Sequence, residues 1–283
     1  MVHVAELVAY PVKSLDGCER ERIRLTGDGP LVGDRVYAPV EGAVDPADAS
    51  VGANGGYVNG KSERQIHRID ASYETASPAD ATPTAVTLDA PGMDTRTFEL
   101  PEQADAAGDW LSAFLGYDVD LAREDGPHQD RSGRFGPSVI SEATLEEVAS
   151  WFEDPAVDAR EMRRRFRPNV VLADCPAFWE DRLFAGHDER VRVRVGDGEL
   201  TGVGPCARCV VPSRDPETGA ELPNFRETFL KRRRETMPEW SGGERFDHNF
   251  QLMTTTAVPE SAWGTEVAVG DEVEILETVA VEA

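Results

Sequence analysis

The first strand is legible from its alternation. Residues 3–10 run HVAELVAY, apolar and polar by turns, and then meet Pro11-Val12-Lys13-Ser14. A period of two predicts a strand that stops at the proline. Arg20–Leu25 repeats the alternation, Gly27-Asp28-Gly29-Pro30 reads as a turn, and Gly33-Asp34-Arg35-Val36-Tyr37 opens another strand. Residues 41–60 are rich in Gly, Ala, Asp and Asn, which predicts a loop of weak order, with Tyr57–Lys61 a strand closing on a turn. Ile66–Tyr73 and Ala85–Leu88 are further predicted strands, joined by a Ser/Pro/Asp/Thr-rich connection over 76–84. Many short strands and turns predict a small barrel or sandwich.

The period lengthens at Asp105–Gly116. Trp110, Leu111, Phe114 and Leu115 share a helical face, and Gly116 can end the helix. Residues 124–137 are polar, broken by Gly and Pro, and carry Arg131 and Arg134. A boundary here divides the chain into 1–123 and 124–283. Beyond it, Thr144 and Glu147 have capping-box spacing ahead of Leu145, Val148, Ala149 and Phe152, a helix ending before Pro155. Five arginines crowd Arg160–Arg167 immediately before the apolar Val170-Val171-Leu172. A charge run is ordinarily a solvated face; in so acidic a chain, at least one of these arginines is expected to face an anion. Glu180-Asp181-Arg182 leads to an alternating strand at Val191–Val195, and Glu199–Val203 is another. Asn224–Glu235 predicts a helix with Phe225, Phe229 and Leu230 inward and Lys231–Arg234 outward; 241–250 reads as a mobile loop, and Thr265–Leu276 as a final strand pair.

Charge narrows the class. The chain has 53 Asp+Glu against 29 Lys+Arg, a formal charge of −24, and only Lys13, Lys61 and Lys231 as lysines. Such a surface fits adaptation to high salt and lacks the cationic footprint of a nucleic-acid binder. No apolar run is long enough to span a membrane, and the N-terminus lacks the basic and apolar regions of a signal peptide. Four cysteines, Cys18, Cys175, Cys206 and Cys209, are too few and too unevenly spaced for a disulfide framework, so a cytoplasmic location is expected.

Chemistry concentrates in Pro205–Gly219, PCARCVVPSRDPETG. Cys206-x-x-Cys209 can be half a zinc site, a redox pair, an inert buried thiol, or the source of one thiolate for a soft transition metal. Zinc lacks a second ligand pair here. Pro212 and the Asp215–Gly219 turn oppose the helix a thioredoxin-type pair needs. A pocket gathering Lys13, Ser14, Arg35, Arg167 and Arg208 around one thiolate would suit a phosphorylated, anionic metal cofactor. His128, His187 and His248 show no ligand spacing and read as surface residues.

Six motifs carry a resemblance: YPVKSLDG at 10–17, GDRVY at 33–37, SEATLEEV at 141–148, FRPNVVL at 166–172, PCARCVVPSRDPETG at 205–219 and VGDEVEIL at 269–276. The chain resembles MOSC-domain proteins with an N-terminal MOSC β-barrel domain, the group that includes the mitochondrial amidoxime-reducing component. The resemblance implies a mainly β fold with α (α+β). A β-barrel-like domain over 1–123, with a helix near 105–116, packs on a MOSC β-barrel domain over 124–283 with peripheral helices. It implies a molybdenum cofactor (molybdopterin) between them, with Cys209 as catalytic residue and thiolate ligand. Lys13, Ser14, Arg35, Arg167, Asn169 and Arg208 would hold the pterin and its phosphate, with Ser141 from the SEATL motif, and Cys206 would be a structural neighbour.

The implied activity is oxygen-atom removal from N-hydroxylated or N-oxygenated compounds. No iron–sulfur domain is expected in this chain, so electrons would come from a separate donor protein. No pyridoxal-phosphate domain is expected either, so the chain alone should not be a cysteine desulfurase. The 41–57 region departs from the family pattern, and VNGKSERQIHR matches it only loosely, so Lys61 and Arg64 are not carried over. Two other functions compete: a sulfur carrier or cofactor-handling protein with a persulfide on Cys209, and a zinc-stabilised module without catalysis.

Overall fold

A computed structural model describes residues 1–27, 29–42, 56–123 and 136–281. Asp28 of the first predicted turn, most of the 41–60 loop, His128, Arg131, Arg134 and most of the 124–137 crossing lie outside the described residues. The first half contributes β1 (His3–Ala9), β2 (Cys18–Arg20), β3 (Arg22–Arg24), β4 (Tyr37–Glu41), β5 (Asp70–Ser77), β6 (Asp80–Asp89), β7 (Arg96–Glu99), α1 (Ala104–Leu115) and β8 (Val119–Arg123). The second half contributes β9 (Ser138–Ser141), α2 (Glu142–Ala149), α3 (Ala159–Phe166), β10 (Val170–Ala173), β11 (Glu189–Val195), β12 (Gly198–Ala207), α4 (Phe225–Glu235), β13 (Gln251–Ala257), β14 (Glu266–Ala268) and β15 (Val273–Ala280). The fold is mainly β with α.

An eight-stranded sheet runs β15-β11-β12-β13-β9-β10-β1-β2. β1 therefore crosses out of the first half: it pairs antiparallel with β10, Leu7 opposite Val170. The sheet curls without closing into a barrel. The start of β1 meets the turn before β15, where the Gly270 N–H donates to the Val4 carbonyl at 2.8 Å and the Val273 N–H to the Val2 carbonyl at 2.9 Å. Its apolar face packs Val4, Leu7, Val170 and Val193 together with Ile23 and Val267 of the separate β14-β3 pair into one core. A second core gathers Val12, Tyr37, Phe98, Trp110 and Leu111 under the β5-β6-β7 and β4-β8 sheets. A third joins α2, α3 and α4 through Phe166, Phe225, Phe229 and Phe250. Each such side chain contributes about 1.5–3 kcal/mol by leaving water.

Local chemistry accounts for most departures from the sequence pattern. The 76–84 connection is two strands joined at Pro78-Ala79, and Pro83 sits in β6 opposite Thr75, where the register shifts on both sides. A proline cannot donate to a ladder, and a bulge tolerates it. The cap of α2 is Ser141, not Thr144: its Oγ accepts the Thr144 N–H at 3.1 Å. Glu147 accepts from the Trp151 indole at 2.9 Å instead of closing a capping box. α1 does end at Gly116, in the left-handed region at φ +85°.

α4 corrects the sequence pattern most. Arg233 does not point outward with its basic neighbours. It is fully buried, lies 4.0 Å over the Phe178 ring and pairs with buried Asp181. The 241–250 segment forms no strand, and Glu244, Arg245 and Asp247 fold over the site described next.

Candidate functional site

Tyr10 gathers two of the expected arginines. It follows β1, is buried, and donates its hydroxyl to the Pro168 carbonyl at 3.1 Å. Its ring carries Arg167 at 4.1 Å and Arg35 at 5.3 Å, a cation–π arrangement. Burial pushes its hydroxyl up to about 12, even beside two cations. Asp34 ties the same motifs from below. Its Oδ2 accepts the Tyr10 N–H at 3.2 Å and the Asn169 amide at 2.6 Å, and its Oδ1 pairs with Arg35.

Backbone strain concentrates beside these contacts. Ser14, Arg35, Arg167 and Met253 are non-glycine residues at φ +70°, +54°, +57° and +72°, and all four line a cavity of about 1130 Å³. Each such conformation costs on the order of 1–3 kcal/mol and persists where surrounding contacts impose it. At Arg167 the cause is visible. It occupies the left-handed cap of α3, normally a glycine position, with its N–H donating to the Arg163 carbonyl at 2.8 Å.

The thiol stretch enters at the end of β12. Cys209 lies just past the strand, half-buried, on the cavity wall. Arg208 is anchored by its backbone N–H to the Phe250 carbonyl at 2.9 Å, and by Nη2 to the Phe166 carbonyl at 3.0 Å. That carbonyl ends α3, where a cation complements the helix dipole. Nη1 donates to Cys206 Sγ at 3.2 Å, and Cys206 packs against the helical core. The two cysteines thus have different surroundings. The other thiols are poor ligands: burial pushes Cys18 up to about 11 and Cys175 up to about 12. Among the described residues no group of three or more His, Cys, Asp or Glu converges as a metal site. DPETG is a turn: Asp215 Oδ1 accepts the Thr218 N–H at 2.8 Å, and a Cβ on Gly219 would lie 2.5 Å from the Arg64 carbonyl oxygen.

Carboxylate pairing sorts the cavity's arginines. Arg163 bonds Glu6 and Glu19 at 2.8 and 2.6 Å, Arg164 bonds Glu217 at 2.8 Å, and Arg165 bonds Glu161 at 2.8 Å. Arg167, Arg208 and Arg214 line the same cavity and pair with no carboxylate among the described residues. Arg167 donates to the Leu15 carbonyl at 2.6 Å. Arg214 reaches the carbonyls of Gly60 and, at 3.0 Å, Lys61. Burial pushes both guanidinium groups below their usual range, with Arg64 adding to the effect at Arg214. The Nε of Arg208 and that of Arg214 are buried without a hydrogen-bond partner. An uncompensated buried cation is costly, and an anionic ligand relieves the cost.

Of the expected residues, Lys13, Ser14, Arg35, Arg167, Arg208 and Cys209 come together on this wall. Lys13 also lies 5.5 Å over the Tyr57 ring. Ser141 does not join them: it is fully buried, and its hydroxyl is committed to capping α2. Asn169 also reaches the wall, and its amide, fully used within the protein, donates to Asp34. Sequence reasoning missed Arg214, hidden as one more polar residue before a turn, and Lys61 and His67, which also line the cavity. Burial pushes the His67 imidazole down, and its Nε2 lies 3.3 Å from the Gly60 carbonyl.

The architecture defines a mainly β protein whose two halves share an arginine-lined cavity with Cys206 and Cys209 on its wall. Residues 125–274 match the MOSC domain and residues 1–118 the MOSC N-terminal beta barrel domain. This chain belongs to the MOSC-domain family. It is similar to mitochondrial amidoxime reducing component 2 of Bos taurus, 25% identical over 257 residues, covering 76% of this chain and 67% of the relative. It is also similar to mitochondrial amidoxime-reducing component 1 of Mus musculus, 27% identical over 241 residues, covering 76% and 66%. The Homo sapiens component 1 is 35% identical over 81 residues, covering 29% of this chain and 20% of that protein. The chain spans about two thirds of the length of the first two relatives. Among the described residues no helix is long and apolar enough to cross a membrane.

Proposed function

We propose that this chain binds a molybdenum cofactor and reduces N-hydroxylated or N-oxygenated compounds. One observation carries the reading: Cys209 shares its cavity with the buried guanidinium group of Arg214 and the half-buried ones of Arg167 and Arg208, which no carboxylate neutralises among the described residues. A soft thiolate ligand beside unpaired cations suits an anionic metal cofactor. Arg167 and Arg208, with Lys13, Ser14 and Arg35, would hold the pterin and its phosphate, and Cys209 would supply the sulfur ligand. At about 1130 Å³ the cavity exceeds the roughly 300–1,000 Å³ usual for one small molecule, which leaves space for a substrate beside a cofactor.

When bound, the cofactor supplies the two-electron oxygen-atom chemistry, and the protein supplies position and charge. In the overall reaction the N–O bond breaks, two protons are taken up and oxygen leaves as water. Two electrons come from a separate donor protein. The names of the relatives, amidoxime-reducing components, support this substrate class.

The test is elemental analysis of protein expressed in a host that makes the cofactor. Near-stoichiometric molybdenum is expected, with Cys209→Ala losing both metal and activity, while Cys206→Ala keeps the metal. Zinc in place of molybdenum, or a labile sulfur on Cys209 with no retained metal, overturns the reading.

A further inference from the structure

β13 is distorted beside the thiol. On β12 one residue separates Pro205 from Ala207, but their partners Thr254 and Gln251 have Leu252 and Met253 between them. Met253 takes up the extra length at φ +72°. A bulge re-aims the side chains around it. Gln251, Met253 and Thr255 all line the cavity that contains Cys209. Gln251 lies directly opposite Ala207, two positions before Cys209.

Gln251 is 5% exposed. Its Nε2 donates to Asp247 Oδ1 at 3.0 Å and approaches the Arg245 carbonyl at 3.5 Å. Those two acceptors fix the amide's orientation, because turning it over would set its oxygen against a carboxylate and a carbonyl. Oε1 is then the end left without a hydrogen-bond partner. A buried carbonyl oxygen with no donor bears its full desolvation penalty, and an arriving donor removes it. The mechanism proposed above gives this side chain no part.

We propose that Gln251 Oε1 accepts an N–H of the substrate beside the N–O bond, so that this residue selects N-hydroxylated compounds bearing an N–H donor over N-oxides that bear none. Gln251 lines the cavity and the terminal torsion of a glutamine is broad, so a small turn of the amide, without reversing it, presents Oε1 to an arriving N–H donor. The inference rests on the reductase reading for the identity of its ligand.

The test compares benzamidoxime, which carries N–H donors, with pyridine N-oxide, which has none, and titrates the protein calorimetrically with benzamidine, which is not reduced. Gln251→Met keeps the length of the side chain and removes the acceptor. It should raise KM for benzamidoxime about two- to tenfold, the worth of one neutral hydrogen bond, and weaken benzamidine by a similar factor. It should leave kcat for benzamidoxime and KM for pyridine N-oxide within about twofold. Gln251→Glu sets a carboxylate against the amidinium and should tighten benzamidine binding. The proposal is overturned if Gln251→Met shifts both substrates alike or neither, or if benzamidine binds both variants as it binds the unaltered protein. Unaltered protein that holds molybdenum, binds benzamidine and reduces neither substrate sinks the reductase reading, while the titrations still decide the role of Gln251.

Discussion

Asn169 donates through Nδ2 to Asp34 Oδ2 at 2.6 Å, across 135 positions of sequence. The same amide donates to the Val8 carbonyl at 3.1 Å, and its Oδ1 accepts the Ser138 N–H and hydroxyl, each at 3.2 Å. Three strands and the GDR turn are thereby held by one side chain. Asp34 in turn places Arg35 and the Tyr10 backbone, so the cavity's charge rests on a neutral amide behind it. Asn169→Ala strips these bonds and leaves Asp34 buried with fewer donors. The expected loss is on the order of 3 kcal/mol, a fall in melting temperature of roughly 6–12 °C by calorimetry. A change of under a degree would show that the amide is dispensable.

Legibility followed locality. β1 and α1 stood out because period and punctuation are local, and so did the thiol stretch. The convergence of Lys13, Arg35, Arg167 and Arg208 came from the family resemblance, since no periodicity links positions that far apart. Ser141 and Asn169 belong to the same motifs, and their side-chain hydrogen bonds are made inside the protein. Arg233 and Arg214 could not be sorted from their neighbours, because a run of charges does not say which member the tertiary fold buries.

Arg163 and Arg167 line one cavity four residues apart and differ in partners. Arg163 is committed to Glu6 and Glu19, whereas among the described residues the Arg167 guanidinium meets a carbonyl and a ring. Arg167→Met should therefore weaken cofactor retention at least about tenfold, the worth of one charge-assisted hydrogen bond. Arg163→Met should leave retention unchanged and cost about 1 kcal/mol of stability. Molybdenum per protein after gel filtration reads the first effect and thermal unfolding the second. Equal molybdenum loss in both variants would contradict the sorting by carboxylate pairing.

The Arg233–Asp181 pair ties α4 to the short helical turn Trp179–Leu183. Both residues are buried, and Asp181 also accepts from Ser241. Removing one partner leaves the other charge uncompensated, at a cost of about 3–5 kcal/mol. Arg233→Met should lose that much in urea unfolding. The double variant Arg233→Met with Asp181→Leu should lose clearly less than the sum of the two single changes, because no isolated charge remains. Strict additivity would mean that the ion pair carries no coupling.

Glu180, the neighbour of that pair, sets a pH dependence. It is fully buried, with Oε2 accepting from Thr144 Oγ1 at 3.0 Å and Oε1 without a partner. Burial, then the adjacent Asp181, push its carboxyl from 4.5 up to about 8. Between those values the folded chain keeps a proton that the unfolded chain has lost. By linkage the stabilisation is fully present below the unfolded value, falls as pH rises through the window and is gone above about 8. Glu180→Gln cannot lose a proton and keeps an acceptor for Thr144. Its stability should stay close to the unaltered protein's near pH 5 and exceed it by on the order of 2 kcal/mol near pH 8.5. Melting curves of both proteins across that range check the sign. Parallel curves would mean that Glu180 titrates at its ordinary value, and a variant less stable at the alkaline end would mean that its carboxylate is stabilised in the fold.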